Sequence, residues 1–351
     1  MSDTMKAVVL TGPGEYSVQR VPVPEPGPME VLVRIRAVAI CGTDPKLFAG
    51  AFAGMWPPAY PFIAGHEFAG EVAALGAGVT GLAVGDRVAG EAHCGCGHCR
   101  ACMAGFYNLC ENYGHPETGH RHYGFIVQGA YAEYNVYSVK AVTKMPDNVS
   151  FDEGSMCDTA GTSFNGIRLI GVTPGGFSAF IGPGPVGLSA MLMAKSMGST
   201  VIMVGRGARL EAAKRLGADF VVDFEKENMY ARIEEITGGR KADEVFECAG
   251  NEASVNQALG SVKRGGSVAL LGLPTSNSMN VNMKSVIMDQ IRVQGCRANP
   301  NCSEQVLRMM STGGLNVKDM VTHTFAIDDI HEAMDTFVHR RGGALKVVIH
   351  P

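Results

Sequence analysis

Phe177-Ser-Ala-Phe-Ile181-Gly182-Pro-Gly184-Pro185-Val186-Gly187-Leu188 is the stretch on which the reading of the fold turns. A short apolar run leads into three glycines spaced G-x-G-x-x-G, and a helical pattern begins directly behind them. In a strand-turn-helix setting the first glycine makes a tight turn, and the second lets backbone approach a pyrophosphate. The third allows close helix packing, with the positive end of the helix facing the anion. Gly182, Gly184, Pro185, Val186 and Gly187 are therefore expected to hold a dinucleotide.

Downstream, apolar strands alternate with helical stretches: Val201 to Val204, Arg209 to Leu216, Glu244 to Cys248 and Ser267 to Leu271. That rhythm implies βαβ units and a parallel sheet covered by helices. The strand at Val201 runs into Gly205-Arg206-Gly207-Ala208-Arg209. NAD sites place an acidic residue near this point to bind the adenine ribose 2′-hydroxyl, and this stretch contains none. Arg206 instead offers planar, charged donors to a 2′-phosphate. NADP is the expected cofactor, with NAD possible because a Gly/Arg pair accommodates both. Arg209, beside Glu211, reads nearly as well as a helix-surface residue.

Upstream, short alternating runs such as Lys6 to Leu10 and Val31 to Arg36 are punctuated by Pro22, Pro24, Pro26 and Pro28, the pattern of antiparallel strands and turns. The first ~150 residues read as β-rich on this pattern. The tail offers helices near Glu304 to Met310 and Ile327 to Phe337 and a last strand from Ala344 to Ile349, a make-up suited to packing on the first domain.

The 351 residues suggest two domains, and 46% hydrophobic with 18% charged residues is a globular balance. A net charge of -4 without a basic run offers nothing to nucleic acid or anionic membranes. No segment has the ~18 apolar residues of a membrane span, and the N-terminal residues lack a signal-peptide pattern. The expectation is a soluble, cytoplasmic protein whose partner is a small molecule.

Of ten cysteines, five fall within seventeen residues. Cys96, Cys99, Cys102 and Cys110 form C-x2-C-x2-C-x7-C, a set of thiolates that satisfies the closed tetrahedral shell of a structural zinc. Cys94 falls outside that spacing. A second ligand set is sketched by Cys41-Gly-Thr-Asp44 and Gly65-His66-Glu67: thiolate, imidazole and carboxylate suit an open, catalytic zinc, although each alone is a weak signal.

Cys41-Gly-Thr-Asp, Gly65-His-Glu-Phe-Ala-Gly70-Glu-Val, Gly85-Asp-Arg-Val88, the quartet and the glycine fingerprint occur in the order seen in zinc-containing medium-chain dehydrogenases. The chain resembles that family along essentially its whole length. Glu91-Ala-His and Cys96-Gly-His-Cys-Arg-Ala-Cys look like its polyol (sorbitol-like) and threonine dehydrogenase branches. The resemblance implies an α/β protein with a β-rich GroES-like catalytic domain, residues 1–158 and 297–351, and a Rossmann cofactor domain, a doubly wound parallel sheet over 159–296.

It also implies two zinc ions per subunit and a homodimer or homotetramer. The catalytic ion would be held by Cys41, His66, Glu67 as a direct or exchangeable ligand, and Asp158 in Met156-Cys-Asp-Thr. Adjacent Cys157 is the competing candidate, and only one of the two can face the metal. The ion would polarise an alcohol oxygen for hydride transfer to the nicotinamide.

The family's proton relay would pass through Thr43 to a residue three positions on, where this chain has Lys46, suited to holding ribose or, if desolvated, to acid-base work. Asp44 would orient the histidine ligand. The pocket would draw on residues 48–56, including Trp56, on 115–123 and on 296–300, with His115, His120 and His122 read as pocket edge or surface and not as another metal site. The favoured substrate is a secondary alcohol or polyol. An amino-alcohol dehydrogenase and a catalytically silent zinc- and nucleotide-binding homologue stand as alternatives.

Overall fold

The computed structural model describes residues 3–351 and divides the chain into two compact units. The first runs to Asp158 and takes in Asn299–Ser311 and Met320–Pro351; the second comprises Thr159–Ala298 and Thr312–Asp319. The tail thus returns to the first unit, apart from a short excursion over 312–319.

The first unit is built on a seven-stranded sheet. Strand Glu30–Ala39 lies between Lys346–His350 and Glu67–Leu75 and also pairs with Tyr134–Ser138. Its apolar side chains pack with Phe68, Val72, Val88, Tyr131, Tyr137, Val347 and Ile349 in one core. Such alternating, β-branched segments bury one face of a pleated surface. Strand register places the chemistry: Ala39 stands opposite Glu67 on one side and Val348 on the other. Cys41, two residues past Ala39, is thereby delivered beside His66 and Glu67.

The second unit holds a six-stranded, all-parallel sheet in the order Phe220–Asp223, Thr200–Gly205, Phe177–Ile181, Ala242–Glu247, Val262–Leu270 and Arg292–Gly295. This is the Rossmann order, whose direction of winding reverses between Phe177–Ile181 and Ala242–Glu247; ligands bind beyond the carboxyl ends of the strands at such a point. Helices Pro185–Ser196, Gly207–Arg215, Met229–Ile236 and Glu252–Ser261 link successive strands. The first of these starts three residues before the apolar pattern suggests because Pro185 stands at its first turn, where a missing N–H costs nothing.

Candidate active site

Cys41, His66 and Glu67 bring one sulfur, one ring nitrogen and one carboxylate oxygen within 4.8 Å of one another. His66 and Glu67 are sealed from solvent, at 4% and 1% exposure. Gly65 precedes them at φ 91°, a conformation that favours glycine, and a Cβ there would lie 2.8 Å from the Tyr131 ring. Asp44 ties the cluster together: Oδ2 accepts the Cys41 N–H at 2.8 Å and the Tyr131 hydroxyl at 2.7 Å, while Oδ1 stands 3.5 Å from His66 Nδ1. Burial works against charge on His66, yet Asp44 and Cys41 outweigh it and hold its pKa well above the usual histidine value. A buried pocket that favours positive charge among thiolate, imidazole and carboxylate is one into which a divalent cation fits.

Asp158 does not join that trio. It lies at the junction into helix Cys157–Ile170, where Oδ1 accepts the Ala92 N–H at 3.1 Å. Burial pushes its carboxyl up to about 6, with His66 pulling it down and Glu67 pushing it up, so it lies within electrostatic reach of the trio. Neighbouring Cys157 is fully buried and points its sulfur at the Ser303 carbonyl, 3.8 Å away. Thr43 caps helix Asp44–Phe48, and its Oγ1 is buried with no hydrogen-bond partner among the described residues. Lys46 is half-buried in that helix.

Lys346 is a residue that sequence reasoning missed. Its ammonium forms an ion pair with Glu67 Oε2, with 2% of its side chain exposed. The signal was a lone lysine inside the apolar strand Lys346–His350. Tyr131, which supports Asp44, carried no sequence signal at all.

The four sulfurs of Cys96, Cys99, Cys102 and Cys110 also fall within 4.8 Å of one another. Cys99 Sγ accepts the N–H groups of Cys102 and Glu111, each at 3.5 Å, and these lower its thiol pKa. Backbone donors aimed at sulfur favour the thiolate at Cys99, the form that binds a soft cation, whereas burial raises the thiols of Cys102 and Cys110. Cys94 stays outside this set, with its sulfur 3.7 Å from the Gly95 carbonyl.

In the second unit Gly182 adopts φ 109°, and its N–H meets the Val204 carbonyl at 3.0 Å. A Cβ at Gly187 would come within 2.2 Å of the Gly182 oxygen, which is why the helix packs so closely here. A Cβ at Gly184 would meet nothing within 4 Å, so open space lies at the amino end of helix Pro185–Ser196. A pyrophosphate fits such a cradle. Glu247, unnoticed in the sequence, accepts the N–H groups of Ala249 and Gly250, each at 2.7 Å, and so fixes the loop beside Gly182. Arg206 caps helix Gly207–Arg215 with its side chain exposed. Residues 205–209 carry no acid, yet a carboxylate reaches this position from outside them: Glu225, just beyond strand Phe220–Asp223, pairs with the Arg206 guanidinium. Arg209 is half-buried in the helix's first turn.

Residues 27–147 match the model of the alcohol dehydrogenase GroES-like domain, and residues 185–312 match that of the zinc-binding dehydrogenases. Sorbitol dehydrogenase of Bacillus subtilis (strain 168) is 34% identical over 99% of this chain and 97% of its own length. The chain belongs to the zinc-containing medium-chain dehydrogenases. L-threonine 3-dehydrogenase of Alteromonas mediterranea is also 34% identical, over 95% of each chain. Among solved structures, a Sinorhizobium meliloti 1021 protein bound to NADP superposes with a TM-score of 0.91 at 30% identity, covering 100% of both chains. The protein is therefore an oxidoreductase of the alcohol and polyol dehydrogenase class, and the silent-homologue alternative falls away.

Within this dehydrogenase the loop histidines take different positions. His115 is exposed and pairs with Glu117 at 3.0 Å, whereas His120 and His122 are buried. His122 stacks on His93 and on Phe125, at 4.0 and 4.1 Å, and its Nδ1 lies 2.7 Å from the Tyr113 hydroxyl. Trp56 donates to that hydroxyl at 3.0 Å, and Phe125 lies 4.6 Å from the His66 ring. Sequence reasoning placed Trp56 and His122 near the pocket but overlooked His93 and Tyr113, which join them in one polar-aromatic cluster. Among the described residues no helix is long and apolar enough to cross a membrane.

Proposed function

We propose that this enzyme transfers a hydride between a secondary alcohol or polyol and NADP, forming a ketone or ketose in the oxidative direction. One observation carries the reading: Cys41, His66 and Glu67 converge within 4.8 Å, and two residues from Cys41 the Thr43 hydroxyl is buried without a partner among the described residues. Cys41, His66 and Glu67, with Asp158 as the further carboxylate, would hold one zinc ion per subunit, and the quartet Cys96, Cys99, Cys102 and Cys110 a second. The first ion, when bound, would supply Lewis acidity to an alcohol oxygen, and the four cysteines of the quartet would hold the second in a structural role.

The protein's own groups do the rest. Thr43 Oγ1 accepts the substrate hydroxyl proton and donates its own to the cofactor ribose, which Lys46 holds and from which the proton leaves to solvent. Asp44, tied to the Cys41 N–H and the Tyr131 hydroxyl, keeps His66 in orientation. The Gly182–Gly187 turn carries the pyrophosphate, and Arg206, released from Glu225, with Arg209 behind it, takes the 2′-phosphate. An exposed pair such as Arg206–Glu225 is worth little, about 0–1 kcal/mol, so a phosphate displaces the carboxylate. The NADP-bound relative supports the cofactor choice, and the sorbitol dehydrogenases support the substrate class. We read the enzyme as cytoplasmic, and the family resemblance supports a homodimer or homotetramer.

A second reading, oxidation of an amino alcohol, is favoured by the equal identity to L-threonine 3-dehydrogenase. A panel of C4 to C6 polyols and threonine, each with NAD and NADP and with metal content measured in parallel, separates the two. Turnover of polyols with NADP is the expected result; turnover confined to threonine overturns the substrate assignment.

A further inference from the structure

Tyr107 sits in the cysteine lobe between Cys102 and Cys110, in the one-turn helix Tyr107–Leu109. It offers no metal ligand, yet its hydroxyl is engaged twice. It donates to Glu91 Oε1 at 2.6 Å and accepts the Asn301 N–H at 2.7 Å. Asn301 in turn reaches back to the lobe, donating from Nδ2 to the Gly105 carbonyl at 2.9 Å. Gly95 packs closely against both a sulfur of the quartet and the tyrosine. A Cβ on Gly95 would stand 2.4 Å from Cys102 Sγ and 2.7 Å from Tyr107 Cβ.

Glu91, at the other end of the phenol's hydrogen bond, is 6% exposed, and its Oε2 has no hydrogen-bond partner among the described residues. Burial raises its carboxyl to about 8, against the Tyr107 hydrogen bond, and the nearby Asp158 adds to the rise. One residue on, the Ala92 N–H donates to Asp158 Oδ1 at 3.1 Å. Hydrogen bonds thus run from Tyr107 to Glu91 and, one residue on, from the Ala92 N–H to Asp158, and Gly95 packs against both Cys102 and Tyr107 at the lobe end.

We infer that Tyr107 is a positioning residue through which the cysteine lobe sets the orientation of Asp158 beside the Cys41–His66–Glu67 centre. The inference rests on the proposed reading of that trio as the catalytic metal centre. Removing the phenol oxygen would leave a second Glu91 oxygen buried and unpaired, a state that folded proteins avoid by shifting the segment. Residues 91–92 would keep their backbone hydrogen bonds to Ala141 and Tyr123 but lose the side-chain anchor at Glu91, and the Ala92 N–H would shift against Asp158. The lobe would thus do more than stabilise the fold: it would aim a carboxylate. Groups that orient a metal's ligands change affinity or activity by about 10–100-fold when removed.

The test is Tyr107→Phe in the full-length enzyme. Metal content, thermal midpoint, kcat and KM for the alcohol are measured, with Co(II) substituted at the catalytic centre for its visible absorption. The expected result is both metals retained, kcat down by about 10–100-fold, little change in KM, and displaced cobalt bands. The Tyr107→Phe/Glu91→Ala double variant should be no slower than the slower single one, as for residues acting in one chain. A lower thermal midpoint with wild-type kcat and cobalt bands would overturn the inference by reducing Tyr107 to a packing residue. If Tyr107→Phe does not fold, Glu91→Ala carries the same expectation, and wild-type kcat and bands there overturn it equally. Failure of the underlying reading shows elsewhere, as wild-type enzyme that binds no metal at Cys41.

Discussion

Lys346 and Glu67 form an ion pair with only 2% and 1% of their side chains exposed, joined across three neighbouring strands by a register that sets Ala39 between Val348 and Glu67. The lysine thus holds one oxygen of a carboxylate whose group also belongs to the proposed metal centre. Lys346→Met strips a buried carboxylate of its cation, and breaking such a pair from one side costs about 3–5 kcal/mol. Urea unfolding should show that loss in metal-free enzyme and a smaller one in zinc-loaded enzyme, where Glu67 has another cation to face. Equal losses in both forms would separate Glu67 from the metal.

Arg206 is the discriminating residue for the cofactor. Charge-assisted hydrogen bonds are worth about 1.5–3 kcal/mol, so Arg206→Ala should raise the KM for NADP by about 10–100-fold and that for NAD far less. Glu225→Gln, which removes the competing carboxylate, should lower the KM for NADP. Parallel losses for NAD and NADP in Arg206→Ala would refute contact with the 2′-phosphate.

Much of the fold and the site was legible in local sequence. The strand-turn-helix at the glycine fingerprint was legible because its elements are immediate neighbours in sequence, and the convergence of the four sulfurs because they lie within fifteen residues, Cys96 to Cys110. Cys41 and His66 gave only a faint signal before the resemblance was drawn, since their proximity depends on pairing between Glu30–Ala39 and Glu67–Leu75. Lys346 was missed because its partner is hundreds of positions away and its strand otherwise reads as plain core. Glu225 was missed for a related reason. The cofactor rule inspects the end of the second strand, whereas this carboxylate arrives from beyond the third, Phe220–Asp223, which lies parallel beside it.

Cys99→Ser acts on the lobe. Serine is a poor substitute for a thiolate ligand, and a structural zinc contributes directly to folding. Calorimetry should show a lower thermal midpoint, accompanied by loss of one metal per subunit. An unchanged midpoint would deny the quartet its structural role.

His350 gives a pH prediction away from the metal ligands. Its hydrogen bond with Asp152, 2.8 Å long, raises its pKa above 6.5, with partial burial opposing and the Asp152 charge assisting. The folded value exceeds the unfolded one, so the pair's contribution is complete below pH 6.5 and is lost as pH rises through the folded value. Unfolding of wild-type and His350→Gln enzyme across this range should show the wild-type advantage shrinking with rising pH. A constant difference would contradict the assignment.

Metal stoichiometry measured together with turnover, in wild-type and Cys41→Ser enzyme, bears most directly on the catalytic centre. Two zinc ions per subunit in the wild type, and one in a well-folded but inactive Cys41→Ser variant, is the predicted result. A wild-type enzyme carrying a single ion in the cysteine lobe while oxidising alcohols at full rate would contradict it.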